Sequence, residues 1–286
     1  MKRYAMGMIA TLDAPSAATI PMIDGIPLTP KVVTTIGMAS LAPAASLAEE
    51  RLRRKQKLAG ALRIFGRFGF GEGVAGHITV RDPEFPDHFW VNPLGLSFRH
   101  MRVRDLLLVN HHGEVVIGQH SVNRAAYVLH AAVHAARPDV VAAAHAHSVY
   151  GKAFSALGIP LDPLTQDACA FYERNVLIAD HGGAVVLEMQ AGREFAQAFG
   201  QHRAAIHQNH GHFTVGATVD EAVFWFVCFE RCAQAQLLAM AAGTPKQIPH
   251  ESATYTRENA GSAQVGWMHF QPLWQEICRT DPELFE

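Results

Sequence analysis

Two histidines with one residue between them, His145 and His147, are the part of this chain best suited to metal chemistry. They close the apolar run 140–144, and alternate side chains of a β-strand share one face, so the two imidazoles are predicted to converge at the strand's end. A neutral imidazole nitrogen is the most common protein ligand for zinc and other first-row metals. His210, in the later sequence Gln-Asn-His-Gly, is the candidate third ligand. Because the chain contains 17 histidines, the pair alone is weak evidence for a metal site.

Composition limits the classes of protein to which the chain can belong. Its 286 residues, 49% hydrophobic and 17% charged, suit one globular domain with extensions. A net charge of −2 and a single basic run at 51–57 argue against a nucleic-acid partner. The four cysteines form no CxxC pair, which favours a reducing, cytoplasmic setting. No apolar run reaches transmembrane length, so we expect no membrane partner.

The chain divides into three parts. Residues 1–47, rich in Ala, Pro, Thr and Met, are predicted to be an N-terminal arm that packs on a neighbouring subunit, since disordered chains are usually more polar. Residues 48–243 form the main domain. Residues 244–286 form a tail whose aromatic stretch 266–274 (GWMHFQPLW) is expected to pack on the domain or a neighbouring subunit, with pocket lining left open.

Hydrophobic periodicity and turn residues predict an alternation of helices and strands in the main domain. The predicted helices are 48–68, 123–136, 149–157, 193–199 and 220–242. The predicted strands are 77–80, 89–91, 106–109, 115–117, 140–144, 176–177, 184–187, 204–207 and 213–215.

Several separated motifs resemble the class II aldolase/adducin family in order and spacing, over about residues 48–242. They are residues 71–81 (GEGVAGHITVR), 91–98 (VNPLGLSF), 105–110 (DLLLVN), 137–139 (RPD), the HxH pair and 208–211 (QNHG). This resemblance implies an α/β fold of three layers, α/β/α, around a mainly antiparallel sheet, usually assembled as a homotetramer. It also implies a divalent metal ion (zinc, iron or manganese) bound by His145, His147 and His210, and a small-molecule substrate.

The chain departs from the sugar-phosphate aldolases of that family at two places. Their catalytic glutamate lies in a Ser-Ser-Glu stretch on the helix before the HxH strand, and counting back from Arg137 places Ala126 there. A methyl group cannot carry protons. The family's phosphate-binding groups are also replaced, by Gly76-His77, Leu94-Gly95 and Arg124-Ala125. We therefore expect a substrate without a phosphate and a different proton carrier.

Four residues near these positions are candidates for catalysis. Arg124 has a planar guanidinium that could bind a substrate carboxylate, although a structural ion pair explains it equally well. His77 is expected to orient the substrate or donate a hydrogen bond. His130, four residues after Ala126, is expected to support a metal ligand rather than to be a fourth one. Tyr127 is a weaker candidate for the pocket wall.

Residues 73–82, 161–171 and 266–272 resemble a branch of the family that contains non-haem iron oxygenases, and the family also contains decarboxylases. Three functions therefore stay open. The first is a metal-dependent carbon–carbon lyase, by retro-aldol cleavage or decarboxylation, on a non-phosphorylated 2-oxo or 2-hydroxy acid. The second is a non-haem iron oxygenase on an aromatic or 2-oxo acid, which iron-dependent oxygen uptake would reveal. The third is a non-enzymatic, adducin-like interaction domain, which would need no metal.

Overall fold

The structure, a computed structural model, describes residues 22–23, 26–27 and 42–286. The chain falls into two compact units, Met1–Ala39 and Ser40–Glu286. In the first unit the described residues are two short antiparallel strands, β1 (Met22–Ile23) and β2 (Ile26–Pro27). The predicted packing of residues 1–47 on another subunit therefore lies largely outside the described residues.

An eight-stranded sheet organises the second unit. Its strands are β3 (His77–Arg81), β4 (Phe89–Val91), β5 (Leu107–Val109), β6 (Val115–Ile117), β7 (Ala142–Ala146), β8 (Asn175–Ile178), β9 (Ala204–His207) and β10 (Gly211–Gly216). Their order is β6-β5-β4-β3-β7-β10-β9-β8. Only β8 and β9 pair in parallel within this sheet, so the prediction of a mainly antiparallel sheet is confirmed.

Seven helices accompany the sheet in the described part of the chain. They are α1 (Leu47–Arg67), α2 (Arg124–Ala136), α3 (Val149–Ser155), α4 (Met189–Phe199), α5 (Val219–Ala242), α6 (His250–Ala260) and α7 (Ala263–Thr280). The two longest begin at capping side chains: Ser46 accepts from the amide of Glu49, and Thr218 from that of Glu221. No helix of the described residues is long and apolar enough to cross a membrane.

The helices form layers on both faces of the sheet because strand side chains alternate. Ala142, Ala144 and Ala146 of β7 join a core with α1, α5 and α7, whereas Ala143 joins a core with α2 and α4. The predicted three-layer α/β/α architecture is therefore confirmed. Small alanines on the central strand let helices approach closely from either side.

One predicted strand is wrong. Residues 184–187 form an irregular segment between a 3₁₀ turn and α4. Val186 is buried, but Val185 is 72% exposed and Leu187 is 46% exposed. The segment pairs with no described strand, so its apolar residues do not signal a sheet. Helix α4 also starts at Met189, four residues before the predicted position.

The aromatic stretch of the C-terminal region belongs to α7. Phe270 and Ile277 are fully buried in the core shared with α1 and α5. Trp274 lies against Gly60, whose absent Cβ would be 2.5 Å from the indole ring. Helix α7 therefore packs on the main domain of its own chain.

Candidate metal centre

Two of the three predicted histidines, His145 and His147, lie at the end of β7, in the centre of the sheet. Strand β7 lies between β3 and β10, and His145 pairs with His77 on one side and Phe213 on the other. The His145 ring stacks on Phe213 with centroids 4.1 Å apart. His147 follows two residues later, just beyond the strand end, so the predicted alternation brings both imidazoles to one place.

His210 reaches the same place from the turn between β9 and β10. The turn places Asn209 in the left-handed region, at a φ of 59°, a conformation that asparagine adopts more readily than most residues. One ring nitrogen from each of His145, His147 and His210 lies within 4.8 Å of the others. The histidine pair and His210 are more than sixty residues apart in sequence, and the pairing of β10 with β7 brings them together.

Hydrogen bonds orient the rings of His145 and His210. His145 Nδ1 donates to the carbonyl of His212 at 2.9 Å, and its Nε2 is buried without a protein partner. His210 Nδ1 lies 3.0 Å from His207 Nδ1, and His210 Nε2 lies 3.0 Å from His147 Nε2. Ligand nitrogens of a tetrahedral zinc site lie about 3.3 Å apart, from zinc–nitrogen bonds of about 2.0–2.1 Å. The three histidines therefore fit a divalent metal ion.

Burial keeps these imidazoles neutral. It lowers the pKa of His145 well below its usual value, with the neighbouring His210 and His147 as further causes. It lowers the pKa of His210 to about 3, and that of His147 to a smaller extent, to which Lys152 also contributes. A histidine must be unprotonated to bind a metal ion, so the site is ready for a metal at neutral pH.

The three histidines open onto a cavity of about 380 Å³. Most of its wall is apolar and comes from the turn before β3, from α2 and from the irregular segment 184–187. The apolar residues include Val74, Ala75, Leu129, Val185, Val186 and Leu187. None of the described residues that line the cavity is Asp or Glu, and Lys152 is its single Lys or Arg. The wall thus suits an anionic substrate with an apolar substituent.

His77 is the predicted catalytic residue that the structure places in this cavity. Its ring lies 6.5 Å from that of His145, and the residue is 6% exposed. Both ring nitrogens are buried without a hydrogen-bond partner among the described residues. Burial lowers the pKa of His77 well below its usual value. It therefore presents a neutral imidazole at the cavity wall, and no described protein group uses its donor or its acceptor.

His130 lies behind His77, outside the residues that line the cavity. Its Nδ1 is 2.8 Å from the hydroxyl of Thr79, which is also 2.9 Å from His134 Nε2. The His130 and His77 rings are 6.0 Å apart in an edge-on arrangement. His130 is thus not one of the three clustered histidines, and its expected supporting role stays a prediction.

Two other predicted residues each have one polar atom bonded to a backbone carbonyl of a neighbouring loop. Arg124 is exposed and its Nε donates to the carbonyl of Leu187 at 3.3 Å. The hydroxyl of Tyr127 donates to the carbonyl of His111 at 2.6 Å. Neither residue lines the cavity. Their catalytic roles stay untested predictions to which this geometry adds no support, because both side chains hold neighbouring loops.

Sequence reasoning missed three polar residues at the cavity. Asn123 caps α2, Asn209 lies in the β9–β10 turn, and Lys152 on α3 forms a 2.6 Å ion pair with Glu72. Lys152 could have been noticed, because it follows His147 by five residues at the start of a predicted helix. The two asparagines carry only turn and cap signals, which are common to many loops.

Comparison with known proteins agrees with this geometry. Residues 56–237 match the family described as Class II Aldolase and Adducin N-terminal domain. Decarboxylase NovR of Streptomyces niveus is 46% identical over 239 residues, which cover 83% of this chain and 88% of that protein. The 4-hydroxy-3-prenylphenylpyruvate oxygenase/4-hydroxy-3-prenylbenzoate synthase of Streptomyces roseochromogenus subsp. oscitans is 45% identical, over 83% and 86% of the two chains.

A solved structure is similar over the same region. The L-fuculose 1-phosphate aldolase from Glaciozyma antarctica PI12 superposes with a TM-score of 0.80 at 45% identity. The match covers 86% of this chain and 97% of that one.

Proposed function

Since this chain belongs to the class II aldolase and adducin family, we propose that it is a metal-dependent enzyme that cleaves a carbon–carbon bond beside a carbonyl. Its substrate would be a non-phosphorylated 2-oxo or 2-hydroxy acid, and the reaction a decarboxylation or retro-aldol cleavage. The observation that carries the proposal is the convergence of three imidazole nitrogens on a cavity that no Asp or Glu of the described residues lines. The name of the decarboxylase relative supports an enzyme of this kind.

His145, His147 and His210 would hold the metal ion through their Nε2 atoms. A divalent ion in this position supplies Lewis-acid chemistry, since it polarises a bound carbonyl and stabilises the negative charge that develops on cleavage. Three neutral ligands leave the positive charge of the ion uncompensated, which favours an anionic substrate. The proposal does not depend on which of zinc, iron or manganese the protein contains.

The remaining cavity residues would bind and orient the acid. Lys152 supplies a positive charge at the cavity, where it can pair with a substrate carboxylate in place of Glu72. Val74, Val185 and Leu187 give the cavity a partly exposed apolar rim, against which an apolar part of the acid would lie.

His77 would replace the glutamate that Ala126 cannot supply. A neutral imidazole can accept a proton at one nitrogen while it releases one from the other, and neither His77 nitrogen is hydrogen-bonded to a described protein group. It would thus pass a proton between water and the substrate.

A second candidate is a non-haem iron oxygenase that uses the same three histidines. It is favoured by the relative whose name states an oxygenase/synthase activity. The cavity is compatible with it, because the apolar wall accepts an aromatic acid and the described lining offers no carboxylate. The adducin-like interaction domain is the remaining alternative, and a protein without metal affinity would favour it.

The metal centre is tested by elemental analysis of the full chain purified without chelator. We expect about one metal ion per chain in the wild type and none in a His145→Ala, His147→Ala double variant. The matched control is His111→Ala, His112→Ala, another pair of nearby histidines, which lies in the exposed β5–β6 hairpin. The control should retain the metal. A wild type without metal, or equal metal in all three proteins, would overturn the proposal.

The reaction is tested with a panel of aromatic and aliphatic 2-oxo and 2-hydroxy acids. Carbon dioxide or pyruvate release under anaerobic conditions would establish the lyase. Release that requires oxygen, with matching oxygen uptake by the iron-loaded protein, would establish the oxygenase instead. Absence of turnover with zinc, manganese and iron would count against both.

A further inference from the structure

The three histidines of the candidate metal centre are not supported in the same way. His145 is oriented by the carbonyl of His212, and His210 by the ring of His207. The described residues offer His147 Nδ1 no hydrogen-bond partner, and its Nε2 faces His210. The position of His147 therefore depends on the backbone that carries it, namely the turn from β7 into α3.

A buried carboxylate on another helix holds that turn. Glu230 of α5 is 2% exposed. Its carboxylate accepts three hydrogen bonds, from Ser148 Oγ at 2.5 Å, from the amide of Gly151 at 2.7 Å and from the amide of Tyr150 at 2.9 Å. All three donors lie within four residues of His147.

This arrangement accounts for a carboxylate in the protein interior. Burial of such a group is costly unless hydrogen bonds compensate it, and Glu230 forms no ion pair with any described residue. The first amides of a helix have no partner within the helix, so α3 needs an acceptor here. Glu230 and the start of α3 satisfy each other, which fixes the turn against α5.

The turn has little room to adjust. A Cβ on Gly151 would lie 2.4 Å from His212 Nδ1 and 2.8 Å from Ser148 Oγ. The carbonyl of His212 is the acceptor that orients His145. Gly151, which Glu230 holds, therefore lies against the side chain of the residue whose backbone carbonyl orients His145.

We propose that Glu230 is a positioning residue of the metal centre, which holds the turn after β7 so that His147 faces His145 and His210. This inference rests on the proposed metal centre, and it assigns a role to a residue that would not itself touch metal or substrate. Removal of the carboxylate should weaken metal binding because the turn would no longer be held.

The test compares Glu230→Gln with Glu221→Gln in the full-length protein. Glu221 lies on the same helix, is 6% exposed and accepts from the amide of Ala217 at 2.7 Å and from Trp225 Nε1 at 3.2 Å. It therefore controls for the loss of a buried, hydrogen-bonded carboxylate on α5. Zinc affinity is measured by competition with a chelator, and cobalt(II) spectra report the geometry of the ligands.

We expect Glu230→Gln to weaken zinc binding by about 10- to 100-fold, the usual effect of removing a group that supports a ligand, and to alter the cobalt spectrum. Glu221→Gln should bind zinc within about twofold of the wild type, by the same comparison. Affinity that is unchanged in Glu230→Gln, or reduced equally in both variants, would overturn the inference while leaving the metal centre intact. A wild type that binds neither ion would overturn both.

Two further measurements keep the inference testable if Glu230→Gln folds poorly. Ser148→Ala removes only one of the three hydrogen bonds and should also weaken zinc binding. In the metal-free proteins, hydrogen exchange at the amides of Tyr150 and Gly151 should be about tenfold faster in Glu230→Gln and unchanged in Glu221→Gln. Slow exchange at both amides in Glu230→Gln would show that the carboxylate does not hold the turn.

Discussion

Neutral, buried histidines surround the candidate site. Burial lowers the pKa of His130 and of His134 to about 3, with the adjacent His134 as a smaller cause for His130 and Arg81 as a smaller cause for His134. The Thr79 hydroxyl between them can donate only one hydrogen bond, so one of the two rings must present an N–H to it. These side chains thus form a polar group inside the α2 layer that is stable only while uncharged.

This charge state predicts a loss of stability in weak acid. Below about pH 6.5 the unfolded chain binds a proton at His134 that the folded chain does not accept until about pH 3. Stability is therefore full above pH 6.5 and is lost as the pH falls toward 3. Between pH 7 and pH 5 each such histidine should lower the free energy of unfolding by about 2 kcal/mol.

Urea unfolding of the metal-free protein at pH 7 and pH 5 measures the effect. In His134→Gln, the free energy of unfolding should change between pH 7 and pH 5 by about 2 kcal/mol less than in the wild type, because glutamine does not titrate. The two proteins are compared by the slope of their free energy of unfolding with pH, so a change in stability that is the same at both pH values does not affect the result. An equal slope in both proteins would show that His134 can be protonated in the folded state.

Among the elements, α2 and α4 form the layer behind the cavity. Helix α2 carries His130 and, at its N-cap, Asn123, and α4 follows the irregular segment that lines the cavity. The helices touch at Gly192, where a Cβ would lie 2.8 Å from both the Cγ1 and the carbonyl oxygen of Val128. A backbone oxygen cannot move aside as a side chain can, so the absence of a side chain sets the separation of the two helices.

Gly192→Ala should therefore destabilise the protein by about 1–3 kcal/mol, the usual cost of overpacking. Helix propensity alone predicts the opposite sign, since alanine favours a helix by about 1 kcal/mol over glycine. Chemical denaturation distinguishes the two. A variant at least as stable as the wild type would show that the helices separate freely. We expect zinc affinity to change little, because the three histidines lie on strand ends and a turn.

For the whole molecule, the open question is assembly. The family resemblance leads us to expect a homotetramer, and the described surface carries large exposed apolar side chains such as Leu52, Leu238 and Tyr255. Four chains of 31.2 kDa would give about 125 kDa by light scattering.

Deletion of residues 1–45 tests the proposed role of the N-terminal arm. The truncated chain keeps Ser46, the cap of α1, so its main domain should fold. If the arm clasps a neighbouring subunit, the mass should fall to that of a dimer or monomer at micromolar concentration. An unchanged mass after truncation would remove the clasp, and a monomeric full-length protein would remove the tetramer.

The residue types and local periodicity of the chain were enough to predict most helices and strands and the convergence of His145 and His147. The family, and His210 as the third ligand that it implies, were predicted from the resemblance of several separated motifs. These features depend on side-chain alternation within a strand, on caps and on short motifs, all of which are local. The absence of a glutamate at Ala126 and the altered phosphate site follow from motif spacing within the family, counted back from Arg137, and both stay predictions.

Other features were decided only by the tertiary structure. Residues 184–187 are apolar but find no neighbouring strand, so they line the cavity instead of extending the sheet. Arg124 and Tyr127 are close to Ala126 in sequence, yet packing of α2 directs their polar groups to the carbonyls of Leu187 and His111. Glu230 meets the turn after His147 only because α5 crosses it. The contacts of Arg124, Tyr127 and Glu230 join residues that are distant along the chain, so no local pattern predicts them.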